Sequence, residues 1–274
     1  MATSKNFKNK IVKLFEEENK NSCIKDGYCL DDSTNLIEGV DSCLFFNDMM
    51  QGGGGELKRK FNAIYSSAAL CVNNFAIVKQ YIEQFTLKIH EKEISNFHCA
   101  KFERQFPTGL QGTPPTLDFV IENDDTVIAF ESKYLEILEK KETKFSESYN
   151  QKKLDFIKDS PLFELIQKYK GKEMFLDVAQ LIKHSIGLIN YGINNKKAHL
   201  VYIYWKPQNS NDVKECYREH DGELSKFADG LKDEKRLHFS SMTYSEFWAN
   251  YAGKDVFSTH FNKVKNRYDI IIKP

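Results

Sequence analysis

Two apolar stretches, residues 117–122 (LDFVIE) and 126–133 (TVIAFESK), stand on either side of a short polar break at Asp124–Asp125. They are short, rich in β-branched and aromatic residues, and separated by a turn signal, which predicts a β-hairpin. With a two-residue loop the register pairs 123 with 126 and 122 with 127, and so sets Asp118 opposite Glu131. Alternation along the second strand turns Glu131 and Lys133 to one face and Ile128, Phe130 and Ser132 to the other. A third strand is expected over 97–106 and a strongly β-prone one over 198–205 (AHLVYIYW). A short strand follows at 237–242, and 270–272 is expected to close the sheet edge.

Helical spacing of apolar residues predicts helices at 6–18, 56–85 (one long or two consecutive), 149–158, 161–169, 174–193, 212–231 and 244–251. Residues 19–50 carry no steady period. Strands separated by helices specify an α/β fold with a mixed central sheet flanked by helices. The chain divides into an N-terminal helical or loop extension (1–50) and a main unit over 51–274.

Like charges facing each other across a ladder are destabilising unless something neutralises them. A divalent cation would do so, and Mg²⁺ takes oxygen ligands, keeps several waters and is held by one or two carboxylates plus phosphate. Asp118 and Glu131 are the candidate metal ligands, with Mn²⁺ able to substitute. Lys133 supplies a compact ammonium for an attacking water or a developing oxyanion. This combination suits phosphodiester hydrolysis. An exposed hairpin with a cross-strand Lys–Glu pair would show the same spacing.

At Leu117-Asp118, twelve intervening residues and Glu131-Ser132-Lys133, the chain resembles the PD-(D/E)xK nucleases, the superfamily of many restriction endonucleases. Leucine stands before the aspartate, and the prolines sit earlier, at Pro114 and Pro115. The wider run FERQFPTGLQGTPPTLDFVI…FESKYLE also resembles bacterial restriction-endonuclease-like proteins. The resemblance implies a restriction-endonuclease-like core, Mg²⁺-dependent cleavage of double-stranded DNA and often a homodimer. It implies that Asp118, Glu131 and Lys133 are catalytic, with the Ser132 carbonyl as a further metal ligand. Superfamily members often add another acid from a helix or strand ahead of the motif. Glu103 is the preferred candidate here and Glu56 the other, although an acid in a helix's first turn also complements the helix dipole. Some members carry a Gln-x-x-x-Tyr pair on the helix after the lysine strand. Here Gln180 and His184 occupy that spacing, with Lys183 adjoining, as candidates to orient the site or contact DNA. A buried glutamine and a histidine satisfied by backbone would read the same way.

Composition changes this picture little. Lysine plus arginine and aspartate plus glutamate balance at 39 each, so net charge does not announce a nucleic-acid binder. Residues up to Lys133 carry −4 and those after it +4. The six cysteines lack zinc-site spacing and read as reduced thiols of a cytoplasmic protein. No run approaches the length of a membrane span, and the N-terminus lacks an apolar signal region. Gly52–Gly55 lacks the Gly-Lys-Ser/Thr ending of a phosphate loop. The alternatives to a DNA endonuclease are a non-catalytic DNA-binding or protein-interaction module on the same fold, or a repair or defence nuclease acting on other nucleic acids.

Overall fold

The structure, a computed structural model, describes residues 4–18, 24–52, 55, 57, 60–89, 92–150, 152–192, 196–210, 215–251, 253 and 255–272. Glu56 and the glycines at 53 and 54 lie outside them. Five strands form the central sheet: β1 (Cys99–Gln105), β2 (Thr116–Glu122), β3 (Thr126–Lys133), β4 (Lys197–Tyr204) and β5 (Leu237–Thr243). Their order across the sheet is β5-β4-β3-β2-β1. The hairpin neighbours β1–β2 and β2–β3 are antiparallel, and β3–β4 and β4–β5 are parallel. This is a mixed sheet flanked by helices, as the alternation of element types requires.

The central strand β3 is apolar because both its faces are covered. Residues on its two faces report which helix lies on each. Phe119 and Phe130 each meet Phe75 of α3 (Ser67–Gln80) with ring centroids 4.7 Å apart. On the opposite face Lys133 and Glu131 meet Gln180 and His184 of α5 (Val178–Gly192). Helix α6 (Glu215–Leu231) touches Tyr202 of β4, whose register partner is Glu131. On the Phe75 side, α7 (Tyr244–Ala249) adds Phe247 to the aromatic cluster and bonds Ser132 Oγ through the Tyr244 hydroxyl at 2.7 Å. Helix α8 (Val256–Tyr268) completes that layer. Each fully buried ring of this size contributes on the order of 2–3 kcal/mol, so the clamp around Phe75 holds the strands that carry the site. The remaining helices are α1 (Ser4–Glu18), α2 (Phe46–Gln51) and α4 (Leu162–Tyr169). Phe15 of α1 packs against Tyr134, Trp205 and Tyr268.

The hairpin register is the expected one. Glu122 pairs with Val127 and Phe119 with Phe130, and Asn123 N donates to Thr126 O at 3.0 Å. Several helix expectations need correction. Within the described part of 56–85 a helix runs over Ser67–Gln80, and residues 60–66 ahead of it are not helical. Residues before it are held by a ribbon, Cys29 N donating to Asn62 O and Ile64 N to Gly27 O, and Ser66 then caps the helix by accepting from Ala69 N. The helix expected from 174 starts at Val178, because Glu173–Met174 pairs as a short strand with Lys141–Glu142. Among the described residues of 149–158 only the turn Asp155–Ile157 is helical. Residues 270–272 are not a strand. Their backbone instead meets Gln208 and Asn209 in the loop after β4. Residues 24–52, without a steady period, form short ribbons, two single turns and α2.

Helix α5 lies unusually close to the chain beneath it. A Cβ on Gly187 would fall well inside van der Waals contact with the Phe106 carbonyl oxygen and 3.0 Å from Phe106 Cβ. Backbone cannot yield as a flexible side chain can. We therefore expect Gly187→Ala to lower unfolding free energy by about 1–3 kcal/mol, measured by urea denaturation. An unchanged midpoint would show that the helix has room to move.

Candidate active site

Asp118, Glu131 and Lys133 line a single cleft of about 690 Å³ at the end of β3, together with Glu103, Ser132, Glu136, Asp177, Gln180, Lys183 and His184. The hairpin ladder runs to the pair Phe119–Phe130, so Asp118 and Glu131 are the next rung, just where pairing stops. There the Ser132 amide donates to Asp118 Oδ2 at 2.6 Å. The acid's own side chain thus replaces a ladder partner. The Lys133 carbonyl on the other side is taken by Trp205 N at 2.9 Å. Successive peptide groups of a strand point alternately toward its two neighbours, so the Ser132 carbonyl faces β2, on the side of Asp118.

Glu103 stands on this same rung. The β1–β2 ladder pairs Phe102 with Phe119 and Arg104 with Leu117 and skips the position between them, which would set Glu103 opposite Asp118. Glu103 has φ +49°, the left-handed region that non-glycine residues rarely occupy. Alternation breaks there. Phe102 packs on Phe119 and Phe45, whereas Arg104 reaches Tyr191 and Glu122 on the α5 side. Gly52, at the end of α2, presses on this point, since a Cβ there would lie 2.5 Å from Glu103 Cβ. Three carboxylates therefore occupy neighbouring strands at one level.

Glu131 is only 1% exposed. Its Oε1 is bonded by Lys133 Nζ, and its Oε2 lies 2.9 Å from His184 Nε2 without the alignment of a hydrogen bond. Lys133 Nζ also donates to Gln180 Oε1 at 2.8 Å. Gln180 and His184, one helical turn apart, thus each touch one member of the Glu131–Lys133 pair. The Asp177 carboxylate caps their helix by accepting from Gln180 N at 3.0 Å.

The charges follow from this packing. Burial pushes the Glu131 carboxyl upward, but Lys133 and the adjacent His184 outweigh it and bring its pKa to about 2. Asp118 goes the other way: burial raises it well above the usual carboxylate range, reinforced by Glu131 and Glu103 and only partly opposed by Lys133. Burial disfavours the Lys133 ammonium, yet Glu131 and Asp118 raise its pKa above the ordinary lysine value. Lys133 is therefore a cation in this site.

Lys183 lines the cleft beside the Tyr149 ring, 5.9 Å away. His184 is buried, lines the cleft and faces Glu131. Glu136 is half-buried on the turn Glu136–Leu138 and accepts from Tyr134 N at 2.8 Å. Lys8, Lys60, Lys141 and Tyr65 also line the cleft, and sequence reasoning passed over them. No local pattern marks those four. Asp177 did carry a signal, an acid at the start of an apolar helical run.

A family model described as Restriction Endonuclease associating with ARP matches residues 46–269. The chain belongs to that family. The matched span runs from the start of α2 through all five strands and into α8. Membership in a restriction-endonuclease family points to nuclease activity. No curated protein and no solved structure matches the chain. Among the described residues no helix is long and apolar enough to cross a membrane.

A metal fits this donor set. Among the described residues no three His, Cys, Asp or Glu side chains already converge as ligands. Mg²⁺ needs only one or two carboxylates, with water and phosphate completing its shell. The unaligned, buried Glu131 Oε2 and the raised pKa of Asp118 both mark carboxylates that a cation would stabilise.

The raised Asp118 pKa has a measurable consequence. A carboxyl whose folded pKa exceeds its unfolded value binds more protons when folded, so stability falls as pH rises through that interval. Asp118→Asn removes this penalty and keeps an acceptor for the Ser132 amide. Without divalent metal, it should raise stability by roughly 0.5–2 kcal/mol at neutral pH, in the range of other relieved active-site groups. The gain should shrink as acid protonates the wild-type carboxyl. Denaturant titrations at several pH values would measure it, and a loss of stability at neutral pH would contradict it.

Proposed function

We propose that the protein is a Mg²⁺-dependent endonuclease of the PD-(D/E)xK type that hydrolyses phosphodiester bonds of double-stranded DNA. The observation that carries this reading is the convergence of Asp118, Glu131 and Lys133 in one cleft at the open end of the hairpin. Asp118, Glu131 and the Ser132 carbonyl would hold the metal, with Glu103 as the further acid at the same level. When bound, Mg²⁺ supplies charge neutralisation at phosphorus and a more acidic water. Mn²⁺ shares the preference for oxygen donors and would substitute.

The chain's own residues do the rest. Lys133, kept protonated by its carboxylate neighbours, acts as a hydrogen-bond donor to the attacking water and to the phosphate oxygens rather than as a base. Gln180 and Glu131 fix its amine in place. Lys183, Lys60, Lys8 and Lys141 rim the cleft and suit the backbone phosphates on either side of the scissile bond. A pair of sites, as in a homodimer, would cut both strands.

Incubation of supercoiled plasmid with the protein and Mg²⁺ or Mn²⁺ tests this reading. Nicked or linear product is expected, with none in EDTA. Lys133→Met should lower the rate by about 10²–10³, the usual loss on removing one such donor, while circular dichroism stays unchanged. Wild-type protein that neither cuts varied duplexes nor binds divalent cations would overturn the proposal.

A further inference from the structure

A second cavity lies at the other end of the sheet. It encloses about 470 Å³ and is lined by Ile189, Gly192, Lys196, Lys197, Lys235, Arg236 and His238. It sits where β4 and β5 begin, while the acid cleft sits where β3 ends. In the parallel β3–β4 register these ends are Thr126–Lys197 and Lys133–Tyr204, about 23 Å apart at ~3.3 Å per residue. One phosphate cannot serve both.

Every charged residue lining this cavity is basic, in a chain whose charges otherwise balance. Two of the cations are engaged from behind. Lys196 bonds Glu122 at 2.9 Å, and Arg236 bonds Glu234 through Nε at 2.9 Å and Nη2 at 3.0 Å. Lys197 and Lys235 are exposed, and among the described residues neither ammonium has an acidic partner. The exposed His238 ring lies 4.7 Å from that of His199, whose Nδ1 is buried without a hydrogen-bond partner. The His199 pKa is lowered to about 4, by burial first and then by His238, Lys92 and Lys197. Burial and the neighbouring cations thus both disfavour the charged imidazole.

We propose that this cavity is a phosphate-binding site separate from the hydrolytic cleft. Its volume falls within the usual range for small-molecule sites, so a nucleotide fits, and a backbone phosphate of nucleic acid would present the same chemistry. Lysine ammoniums bind such groups as point charges, and the His238 ring can add a hydrogen bond.

The test is an NMR titration of the His199 and His238 ring signals in the full chain, with pyrophosphate and separately with a short DNA duplex, without divalent metal. Saturable shifts with pyrophosphate at millimolar concentration or below are expected. Lys197→Ala combined with Lys235→Ala should weaken binding by roughly tenfold or more, about 1.4 kcal/mol, and both side chains are exposed enough to replace without disturbing the core. Shifts induced by the duplex and lost in the same double variant would identify the source as nucleic-acid backbone. Shifts with pyrophosphate alone would identify a nucleotide-sized ligand. Either result supports the site. No saturable shift with either probe, or equal affinity in the double variant, would overturn it. Plasmid cleavage is not the readout, so this outcome and that of the hydrolytic assay stand apart.

Discussion

Glu131 is the residue on which the arrangement turns. A carboxylate with almost no exposure is unstable unless its charge is answered, and here Lys133 answers one oxygen while His184 stands against the other. Those contacts keep the acid ionised and also tie β3 to α5. Gln180, Gly187 and Tyr191 extend the same tie, from the lysine amine at one end of the helix to Glu122 at the other. Packing and electrostatics therefore specify one position of the helix over the sheet.

Asp118 experiences the opposite balance. It shares burial with Glu131 but lacks a cation of its own, so its charge is opposed by both acidic neighbours. Two carboxylates with pKa values pushed apart by their surroundings, in one cleft, mark a candidate functional site. The fold thus leaves local instability at the end of the hairpin and offsets it in the aromatic cluster around Phe75. Binding a cation would relieve the same instability.

Much of this was legible in the chain because it depends on short-range rules. The hairpin at residues 117–133 declares its register through a two-residue turn, and register alone brings Asp118 to Glu131. Gln180 and His184 share a face by helical spacing. What escaped prediction depends on distant contacts. Residues 62–64, ahead of the helix at Ser67, are not helical because a ribbon near Gly27 claims their backbone. Lys8 reaches the cleft from the first helix, over a hundred residues from the motif. Glu103 was nominated as a nearby acid, but its left-handed backbone carries no sequence mark, since glycine or asparagine would ordinarily announce such a conformation.

That break at Glu103 also shapes how the molecule meets copies of itself. β1 is an edge strand, and a long unbroken edge invites another chain to add a strand to the sheet. Here the run of paired backbone stops after Phe102 and resumes only at Arg104, with side chains facing the other way. The border is too interrupted to template such an addition along its length. A continuous sheet between two copies would accordingly not be built on β1.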